Sequence, residues 1–289
     1  MFKKKKDQTY QSYWSISWNI FKKNKVAMVC LFIVVLLCLI ALFAPLIAPY
    51  DPNKQVLTDR LMKPCGQHWF GTDDLGRDIF SRIIYGCRVS LSVGIISQII
   101  ATVIGYTMGV CAGYFGGKVD SVISFLIQVF SSFPFLLFAM AIMFVLGPGL
   151  INLYLALGLL GWASTARLIR GDVMRLKKME YIDACKVSGG NSFSIIMKHL
   201  LPNCLSTLIV TVTLGIPNAI MSEASLSFLG LGVKAPMASW GSMISFSQPY
   251  IRSATYYSVI PGLAIIITVL AFNMLGDGLR DALDPKLRS

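Results

Sequence analysis

Hydrophobic residues in this chain come in long blocks rather than in narrow periodic faces. Six blocks stand out, at about residues 27–48, 89–112, 121–146, 150–166, 205–228 and 254–275. A helix of about 20 apolar residues is long enough to cross the hydrocarbon core of a bilayer, which is roughly 30 Å thick. The pattern therefore predicts an all-α, polytopic membrane protein with six transmembrane helices.

The polar stretches between these blocks define the predicted organisation of the chain. We expect, in chain order, an N-terminal segment at 1–26, a first anchor helix at 27–48, a large outer segment at 49–88, a five-helix core at 89–275 that contains a polar loop at 167–204, and a tail at 276–289. The first block is predicted to be a retained span. It is too long for the apolar region of a signal peptide, and no small-residue cleavage site precedes Pro45.

Four aromatic residues precede the first block on one predicted helical face: Tyr10, Trp14, Trp18 and Phe21. Lysines follow them immediately. This combination is typical of an interfacial helix lying along the inner leaflet, where aromatic rings and lysines reach the lipid headgroups. The alternative is a disordered tail in which the aromatics are spaced by chance.

Composition and charge narrow the class of protein. The 289 residues are 55% hydrophobic and 14% charged, with a formal net charge of +12. With the N-terminus inside, the predicted topology places 18 lysines and arginines in the cytoplasm and 8 outside. Such a bias follows from the orientation of membrane proteins at insertion and from anionic lipid. We expect a multi-pass cell-membrane protein with both termini in the cytoplasm, and nucleic acid is not needed as a partner.

The longest polar interruption in the membrane-like sequence runs from Glu180 to Asn203, inside the polar loop. Apolar residues recur at helical spacing in both halves of this stretch, which predicts two short helices. The two stripes are Met179, Ile182 and Cys185, then Phe193, Ile196, Met197 and Leu200. Gly189 and Gly190 separate the halves, because glycine tolerates the positive φ that a tight reversal needs.

The second of these helices has its own start and stop signals. Asn191 or Ser192 can cap its first turn with a side-chain oxygen. Pro202 is expected to end it, because proline lacks an N–H group and clashes with the preceding turn. A helix–turn–helix outside the bilayer, between two spans, is suited to binding by a partner protein. The alternative is an ordinary helical cytoplasmic loop.

A dense polar cluster lies just before the second predicted span. It contains His68, Gly71, Thr72, Asp73, Asp74, Gly76, Arg77, Asp78 and Arg82. Asp73 or Asp74 can cap a helix whose apolar face begins with Ile79. Arg77, Asp78 and Arg82 are then expected on the opposite face of an amphipathic turn on the outer surface. His68 is expected to be solvated.

Motifs for metal binding or catalysis are not found in the sequence. The seven cysteines, at positions 30, 38, 65, 87, 111, 185 and 204, show no CxxC or Cys/His metal spacing. Whether Cys65 and Cys87 pair is left open. Gly116-Gly117-Lys118 is not a P-loop, because the earlier glycine and the following Ser or Thr are missing. We predict no metal, no cofactor and no catalytic residue.

A pattern in the polar loop resembles the EAA loop of binding-protein-dependent ABC importer permeases. In that family Glu-Ala-Ala is followed by three residues, Gly, nine residues, Ile, any residue and Leu-Pro. The candidate docking residues here are Glu180, Asp183, Ala184, Cys185, Gly189, His199, Leu201 and Pro202. The chain departs from the pattern at Asp183, Cys185 and His199, whereas the glycine and the Leu-Pro pair keep the register.

Two further runs resemble the dipeptide, oligopeptide and nickel branch of the same family. Residues 71–82 match GTDxxGRDxxSR, and residues 224–232 match ASLSFLGLG. The resemblance covers roughly residues 27–289. It implies a type I importer permease core, MetI-like, formed by the last five spans, with the first span as an added anchor.

The resemblance also implies a function and a set of partners. The chain would be a permease subunit that forms half of a translocation pathway for di- or oligopeptides and hydrolyses no ATP itself. Its partners would be a second, related permease in a heterodimer, two ABC ATPase subunits, a solute-binding protein outside the membrane and the peptide substrate. The EAA loop would dock into an ATPase and carry its motion to the spans.

Two spans carry residues that bear on such a function. Ser131, Ser132 and Pro134 in the middle of the third block should kink that span. Glu223 lies at membrane depth in the fifth block, where an ionisable side chain is costly and normally faces protein or water. Glu223 either contacts the amino terminus of a peptide or acts as a buried brace between helices, and we favour the brace.

Other transport classes are less consistent with the sequence. A nickel or metal-chelate importer remains the alternative substrate class within the family. A secondary carrier would normally show inverted repeats and several intramembrane acids, and only Glu223 is deeply placed here. A channel would show a filter-like loop or a ring of charge, which we do not find.

Overall fold

The computed structural model describes residues 13–284, which are mostly helical and contain no β-strand. The α-helices are α1 (Tyr13–Lys23), α2 (Lys25–Leu42), α3 (Ala44–Ile47), α4 (Ile79–Phe115), α5 (Gly117–Ser132), α6 (Phe135–Leu146), α7 (Leu150–Leu176), α8 (Glu180–Val187), α9 (Ser192–Ile195), α10 (Leu201–Phe228), α11 (Trp240–Ser247) and α12 (Thr255–Leu283). Short 3₁₀ helices cover Leu57–Asp59 and Gln248–Tyr250, and a π-helical turn covers Ile196–Leu200. The predicted all-α class is confirmed.

Four helical runs within the described residues are long and apolar enough to cross a membrane: α2, α4, the run Ser192–Phe228 and α12. Counting α5 and α6 as one bent span gives a fifth. The block predicted at 150–166 forms the first part of α7, which is not among these candidates. The membrane class is confirmed, and the count of six spans stays a prediction.

The third predicted span is sharply bent. Helix α5 ends at Ser132, α6 begins at Phe135, and the two helices are bent by 89°. Phe133 is extended, at φ −93° and ψ 139°, because the residue before a proline is pushed out of the helical region. The break predicted from Ser131, Ser132 and Pro134 is therefore confirmed.

Helices α4 and α7 pack along much of their length through small residues. Gly105, Gly109 and Gly113 recur at a spacing of four on α4, and a Cβ on any of them would lie 2.6 to 2.9 Å from an atom of α7. Gly94, nearer the start of α4, is equally close to α10, at Ile220. Small residues at this spacing let helix backbones approach closely inside a membrane. Helix α4 is thus fixed against two neighbours at once.

The N-terminal helices pack against the end of α12. Phe21 and Ala27 are buried in a core that includes Leu275 and Ala282. A Cβ on Gly278 would lie only 2.4 Å from that of Ala27. The start of the first span and the end of the last one therefore lie at the same end of the molecule. Of the predicted aromatic face, Trp14 and Trp18 are exposed and Tyr10 lies outside the described residues.

The polar loop lies at this same end. Ile182, Ile195 and Leu200 from the loop are fully or almost fully buried against the last turns of α4 and α7, where Tyr114 and Val173 complete the core. The loop is a packed unit seated on two long helices.

Candidate functional site

The turn between α8 and α9 has a defined C-capping geometry. Gly189 has a φ of +81°, as predicted from the glycine pair. The Gly190 N–H donates to the Cys185 carbonyl at 2.9 Å, and the Gly189 N–H donates to the Lys186 carbonyl at 3.0 Å. These two bonds form a Schellman motif, which satisfies carbonyls that the end of a helix leaves free. A Cβ on Gly189 would meet no atom within 4 Å, so its backbone angle alone favours glycine there.

The second helix of the loop starts as predicted but does not stop as predicted. Asn191 caps it, with its side-chain oxygen accepting from the Ser194 N–H at 2.7 Å. The prediction that Pro202 ends the helix is wrong, because Pro202 lies in the first turn of α10. The preceding π turn explains this: the Leu201 N–H donates five residues back, to Ile196. Proline is tolerated at a helix start, where its missing N–H is not needed.

The apolar stripe of the second helix differs from the predicted one. Phe193 and Met197, which were predicted on the packed stripe, are exposed, and Ile195 is buried instead. The loop therefore has an exposed apolar surface, formed by Phe193, Met197, Tyr181 and Val187. Large exposed apolar side chains on a polar loop are typical of a surface that binds another protein.

The predicted docking residues lie in the same loop and at the start of α10. Glu180, Asp183, Ala184, Gly189 and Pro202 are exposed, and Asp183 accepts a bond from Lys186 at 2.7 Å. The remaining three are half-buried: Cys185, His199 and Leu201. Two positions at which the chain departs from the EAA pattern meet each other, with 3.4 Å between Cys185 Sγ and His199 Nε2. The structure thus brings all eight residues into one helix–turn–helix unit.

The polar cluster before α4 is buried rather than solvent-facing. Asp73 is fully buried, and its carboxylate accepts from Arg77 Nε at 2.6 Å and lies 3.4 Å from Arg82 Nε. Arg82 also donates to the Pro52 carbonyl at 2.9 Å. The expectation of an exposed polar face at Arg77, Asp78 and Arg82 is therefore wrong. The charged groups are compensated by one another and by backbone, as buried charges must be.

Two further expectations for this cluster are corrected. The N-cap of α4 is Asp78, not Asp73 or Asp74, and it accepts from the Ser81 N–H at 2.7 Å. His68 is not solvated, because its Nδ1 lies 2.9 Å from the other Asp78 oxygen and most of its side chain is buried. Asp73 instead stabilises the tight turn before the helix, where its carboxylate accepts hydrogen bonds from the Leu75 and Arg77 N–H groups.

The glycines and the threonine of the cluster shape that turn. Gly71 and Gly76 have φ values of +76° and +72°, and a Cβ on Gly76 would overlap the Val56 carbonyl. The Thr72 hydroxyl donates to the Asp59 carbonyl and accepts from the Met62 N–H. Segment 49–88 is thereby folded against itself.

Tyrosines fasten this segment to the start of α12. Tyr257 donates to Asp74 at 3.1 Å, and Tyr256 donates to the Met62 carbonyl at 2.9 Å. Arg60 donates to the Tyr250 hydroxyl at 2.9 Å. Residues 49–88 thus join the start of α4 to the start of α12, at the end of the molecule away from the polar loop.

Glu223 is fully buried and bonded on every side by serines. Its Oε1 accepts from Ser227 at 2.6 Å and from Ser239 at 2.7 Å, and its Oε2 accepts from Ser90 at 3.4 Å. Ser90 lies on α4, and Ser239 is the N-cap of α11, where it forms a capping box with Ser242. The carboxylate therefore joins three helices.

A large open cavity runs beside α10. Its volume is about 1350 Å³, and its walls come from α4, α6, α7, α10 and the end of α12, with Trp14 of α1 and Tyr181 of α8 at its edge. A stripe of polar residues on α10 faces it: Asn203, Thr207, Thr211, Asn218, Ser222 and Ser225. These positions span roughly 33 Å at 1.5 Å per residue, which is about the thickness of a bilayer core. Glu223 is not part of the lining.

The sequence interpretation missed this polar stripe. Hydroxyl and amide residues recur about every fourth position within an apolar block, and that period was the available signal. The single ionisable residue of the block, Glu223, was singled out instead. A polar face of this length inside a membrane is expected to face water or protein rather than lipid.

Comparison with protein families places the chain clearly. Residues 101–289 match the family described as "Binding-protein-dependent transport system inner membrane component". Residues 12–64 match the "N-terminal TM domain of oligopeptide transport permease C".

Curated relatives match over nearly the whole chain. The dipeptide transport system permease protein DppC of Bacillus subtilis is 46% identical over 96% of this chain and 87% of that protein. The oligopeptide transport system permease protein OppC of the same organism is 42% identical, over 96% and 91%. The glutathione transport system permease protein GsiD of Pectobacterium atrosepticum is 41% identical, over 98% and 95%.

Solved structures share the fold. A chain of the inward-facing MetNI methionine ABC transporter superposes with a TM-score of 0.57 at 19% identity, covering 71% of this chain and 98% of that one. A chain of an amino acid ABC transporter crystallised with histidines gives 0.54 at 15% identity, over 70% and 94%. The described helices therefore share the type I importer permease fold, in a membrane-embedded transport subunit whose family works with ATPases and binding proteins. The chain belongs to the binding-protein-dependent transport system inner membrane components, the permease subunits of ABC importers.

Proposed function

We propose that this chain is one of two permease subunits of an ABC importer for di- or oligopeptides and supplies one wall of the translocation pathway. The polar stripe on α10 is the observation that carries the proposal. It lines an open cavity over roughly the depth of a bilayer, in a helix whose other faces are apolar or packed. Relatives named for dipeptide, oligopeptide and glutathione transport support a peptide substrate.

The open side of the cavity leads to a proposal about partners. A cavity that is open along one side needs another subunit to close the pathway. A second, related permease in a heterodimer would fill this role. Two ATPases would bind on the side of the polar loops, and a solute-binding protein would deliver peptide on the side of segment 49–88. In this arrangement both termini lie in the cytoplasm, in agreement with the excess of lysine and arginine on that side.

The polar loop is the proposed docking element for the ATPase. Its exposed apolar side chains, including Phe193 and Val187, would enter a cleft on that subunit. Its buried side chains, Ile182, Ile195 and Leu200, seat it on α4 and α7, so that movement of the loop is passed to the pathway helices.

The remaining candidate residues are proposed to be structural. Glu223 would act as a brace, because its carboxylate is bonded to Ser90, Ser227 and Ser239 and does not reach the cavity. The cluster around Asp73 would fix segment 49–88 as a rigid cap over the starts of α4 and α12.

Reconstitution tests this function directly. The chain would be co-expressed with the permease, ATPase and binding-protein genes of its own system, purified through a tag on this chain, and placed in proteoliposomes. We expect both ATPase and a second permease to co-purify, and labelled dipeptide to accumulate only with ATP and binding protein. ATP-independent uptake, or purification without an ATPase, would favour a secondary carrier instead.

A further inference from the structure

A side-chain hydrogen bond joins the two helices that flank the polar loop. The Thr207 hydroxyl of α10 donates to Asp172 Oδ2 of α7 at 2.6 Å. The other carboxylate oxygen of Asp172 lies 3.4 Å from Arg175, which is nearer the loop. Asp172 lies one turn before the end of α7, and Thr207 lies within two turns of the start of α10. The bond is therefore at the base of the loop, where the chain leaves one helix and enters the other.

Thr207 bonds differently from two other threonines of the same helix. The hydroxyls of Thr211 and Thr213 donate to the carbonyl four residues earlier, at 2.7 and 2.9 Å. This is a common bond for a threonine within a helix, since it satisfies the hydroxyl locally. The Thr207 hydroxyl donates instead to a carboxylate on another helix. Hydrogen bonds to a charged group are shorter and stronger than those between neutral groups.

Apolar packing around the bond does not by itself fix α10 in one orientation. Val173 and Leu176 of α7 are buried in the same core as Cys204 of α10. Such contacts resist separation of the helices, but they are non-directional and permit small rotations and sliding. A hydrogen bond requires its donor and acceptor to be aligned. The bond between Thr207 and Asp172 therefore sets the rotation and the height of α10 relative to α7.

The orientation of these two helices determines what lines the cavity. Ser164 and Leu168 of α7 and Thr211 and Asn218 of α10 are among the lining residues. Rotation of α10 about its own axis would replace its polar lining by apolar side chains, because neighbouring positions on a helix point in different directions.

The loop reaches the two helices by different routes. Ile182 and Leu200 are buried in the same core as Val173, so movement of the loop is passed to α7 by packing. The chain enters α10 through the π turn at Ile196–Leu200. Helices bend readily at π turns, so this covalent link does not fix the direction of α10.

We propose that Asp172 and Thr207 are positioning residues for transport, whose hydrogen bond makes α10 turn together with α7 when the polar loop moves. The inference rests on the proposed function, because it takes the motion of the loop to come from an ATPase. Without the bond, the loop still docks and the ATPase still works, but α10 follows α7 less faithfully. ATP hydrolysis then yields less transport.

Loss of the bond should leave the fold intact. The Asp172 side chain is 24% exposed and keeps Arg175 as a partner, so Thr207→Val leaves no isolated buried charge. Valine has nearly the same volume as threonine and opens no void. The two residues also differ in one useful respect, because Thr207 lines the cavity and Asp172 does not.

The test measures how much peptide is imported for each ATP hydrolysed. Thr207→Val, Asp172→Ala and the double variant would be purified as complete complexes and placed in proteoliposomes. Uptake of labelled Ala-Ala and hydrolysis of ATP would be measured in the same vesicles at saturating binding protein. Thr207→Ser retains the hydroxyl. Thr213→Val is the matched control, because it removes the hydroxyl of a threonine that bonds within α10.

Both single variants should lower the amount of peptide imported per ATP on the order of tenfold, because each removes a hydrogen bond to a charged group. The ATPase should remain in the purified complexes. The double variant should be no worse than either single variant, since both substitutions remove the same bond. Thr207→Ser and Thr213→Val should keep the wild-type ratio.

Four outcomes would overturn the inference in an importer that works. A wild-type ratio in both single variants would mean that the bond is not needed. A fall in Thr207→Val alone would assign the effect to the cavity lining. Multiplied effects in the double variant would give the two residues independent roles. Loss of the ATPase from both single variants would assign the pair to the fold of the loop.

Two further results are distinguished by design. If Asp172→Ala does not assemble, Asp172→Ser takes its place in the comparison, because serine is too short to reach Thr207 and can bond within α7. Failure of the wild-type complex to import Ala-Ala would refute the proposed function, and this inference with it.

Discussion

The Ser239 hydroxyl donates a 2.7 Å hydrogen bond to the Glu223 carboxylate while it caps the first turn of α11. One serine thus ties the last turns of α10 to the start of the next helix. The same carboxylate reaches Ser90 on α4, whose hydroxyl accepts from the Trp240 N–H at 3.2 Å. Substitution of Glu223 is therefore the best test of the contact between α4, α10 and α11.

Substitution of Glu223 separates its charge from its hydrogen bonds. Glu223→Gln should preserve assembly and most transport, since the amide oxygen still accepts from Ser227 and Ser239. Glu223→Ala should lower stability by about 1–3 kcal/mol for each buried hydroxyl left unpaired. Thermal unfolding of the detergent-purified complex, with dipeptide uptake in vesicles, measures both effects. Loss of uptake in a well-assembled Gln variant would assign Glu223 to the pathway.

Gly189 allows a test of backbone conformation in the polar loop. Its φ of +81° should make Gly189→Ala cost about 1–2 kcal/mol in local stability, although the added methyl meets no atom. Gly189→Asn is the matched control, because asparagine tolerates the left-handed conformation better than alanine does. Gly189→Leu should leave the spans inserted but weaken ATPase retention and uncouple hydrolysis from uptake. Normal uptake in the Leu variant would mean that the loop does not transmit motion.

Asp73 is predicted to be the most sensitive residue of segment 49–88. Asp73→Asn would remove the carboxylate that the buried Arg77 and Arg82 share, leaving Arg77 with the more distant Asp74 at 3.9 Å, at a cost of about 3–5 kcal/mol. The yield of folded complex should fall sharply, as judged by size-exclusion chromatography. Asp51→Asn, an exposed position in the same segment, should change stability by less than about 0.5 kcal/mol. Equal behaviour of the two variants would contradict a structural role for the buried cluster.

The cysteines report the orientation in the membrane. All seven are free thiols within the described residues, so Cys65 and Cys87 do not pair. Cys87 is buried, whereas Cys65 is exposed and Cys185 is half-buried. In single-cysteine variants, an impermeant maleimide on intact cells should label Cys65 and spare Cys185. Cys185 should react only after permeabilisation, and its labelling in sealed cells would reverse the orientation.

The sequence alone was sufficient for features set by local chemistry. Apolar block length predicted the helical membrane class, because a bilayer core demands an unbroken apolar helix whatever its neighbours are. Pro134 predicted the break between α5 and α6, and Gly189 predicted the reversal in the polar loop, since both residues act through their own backbone. The spacing of the EAA pattern likewise lies within one continuous stretch.

Only the tertiary structure determined which side chains are buried and which groups they contact. The sequence favours a solvent-exposed site for Arg77, Asp78 and Arg82, yet each is buried once Pro52, Asp73 and His68 surround it. Pro202 should stop a helix, but a π turn precedes it and α10 continues through it. Glu223 and Asn218 are both polar residues of one apolar block. In the folded chain Glu223 faces serines from two other elements, whereas Asn218 faces the cavity. A helical sequence fixes the angle between two side chains but not which neighbour lies opposite each of them, so only the tertiary structure could separate the two roles.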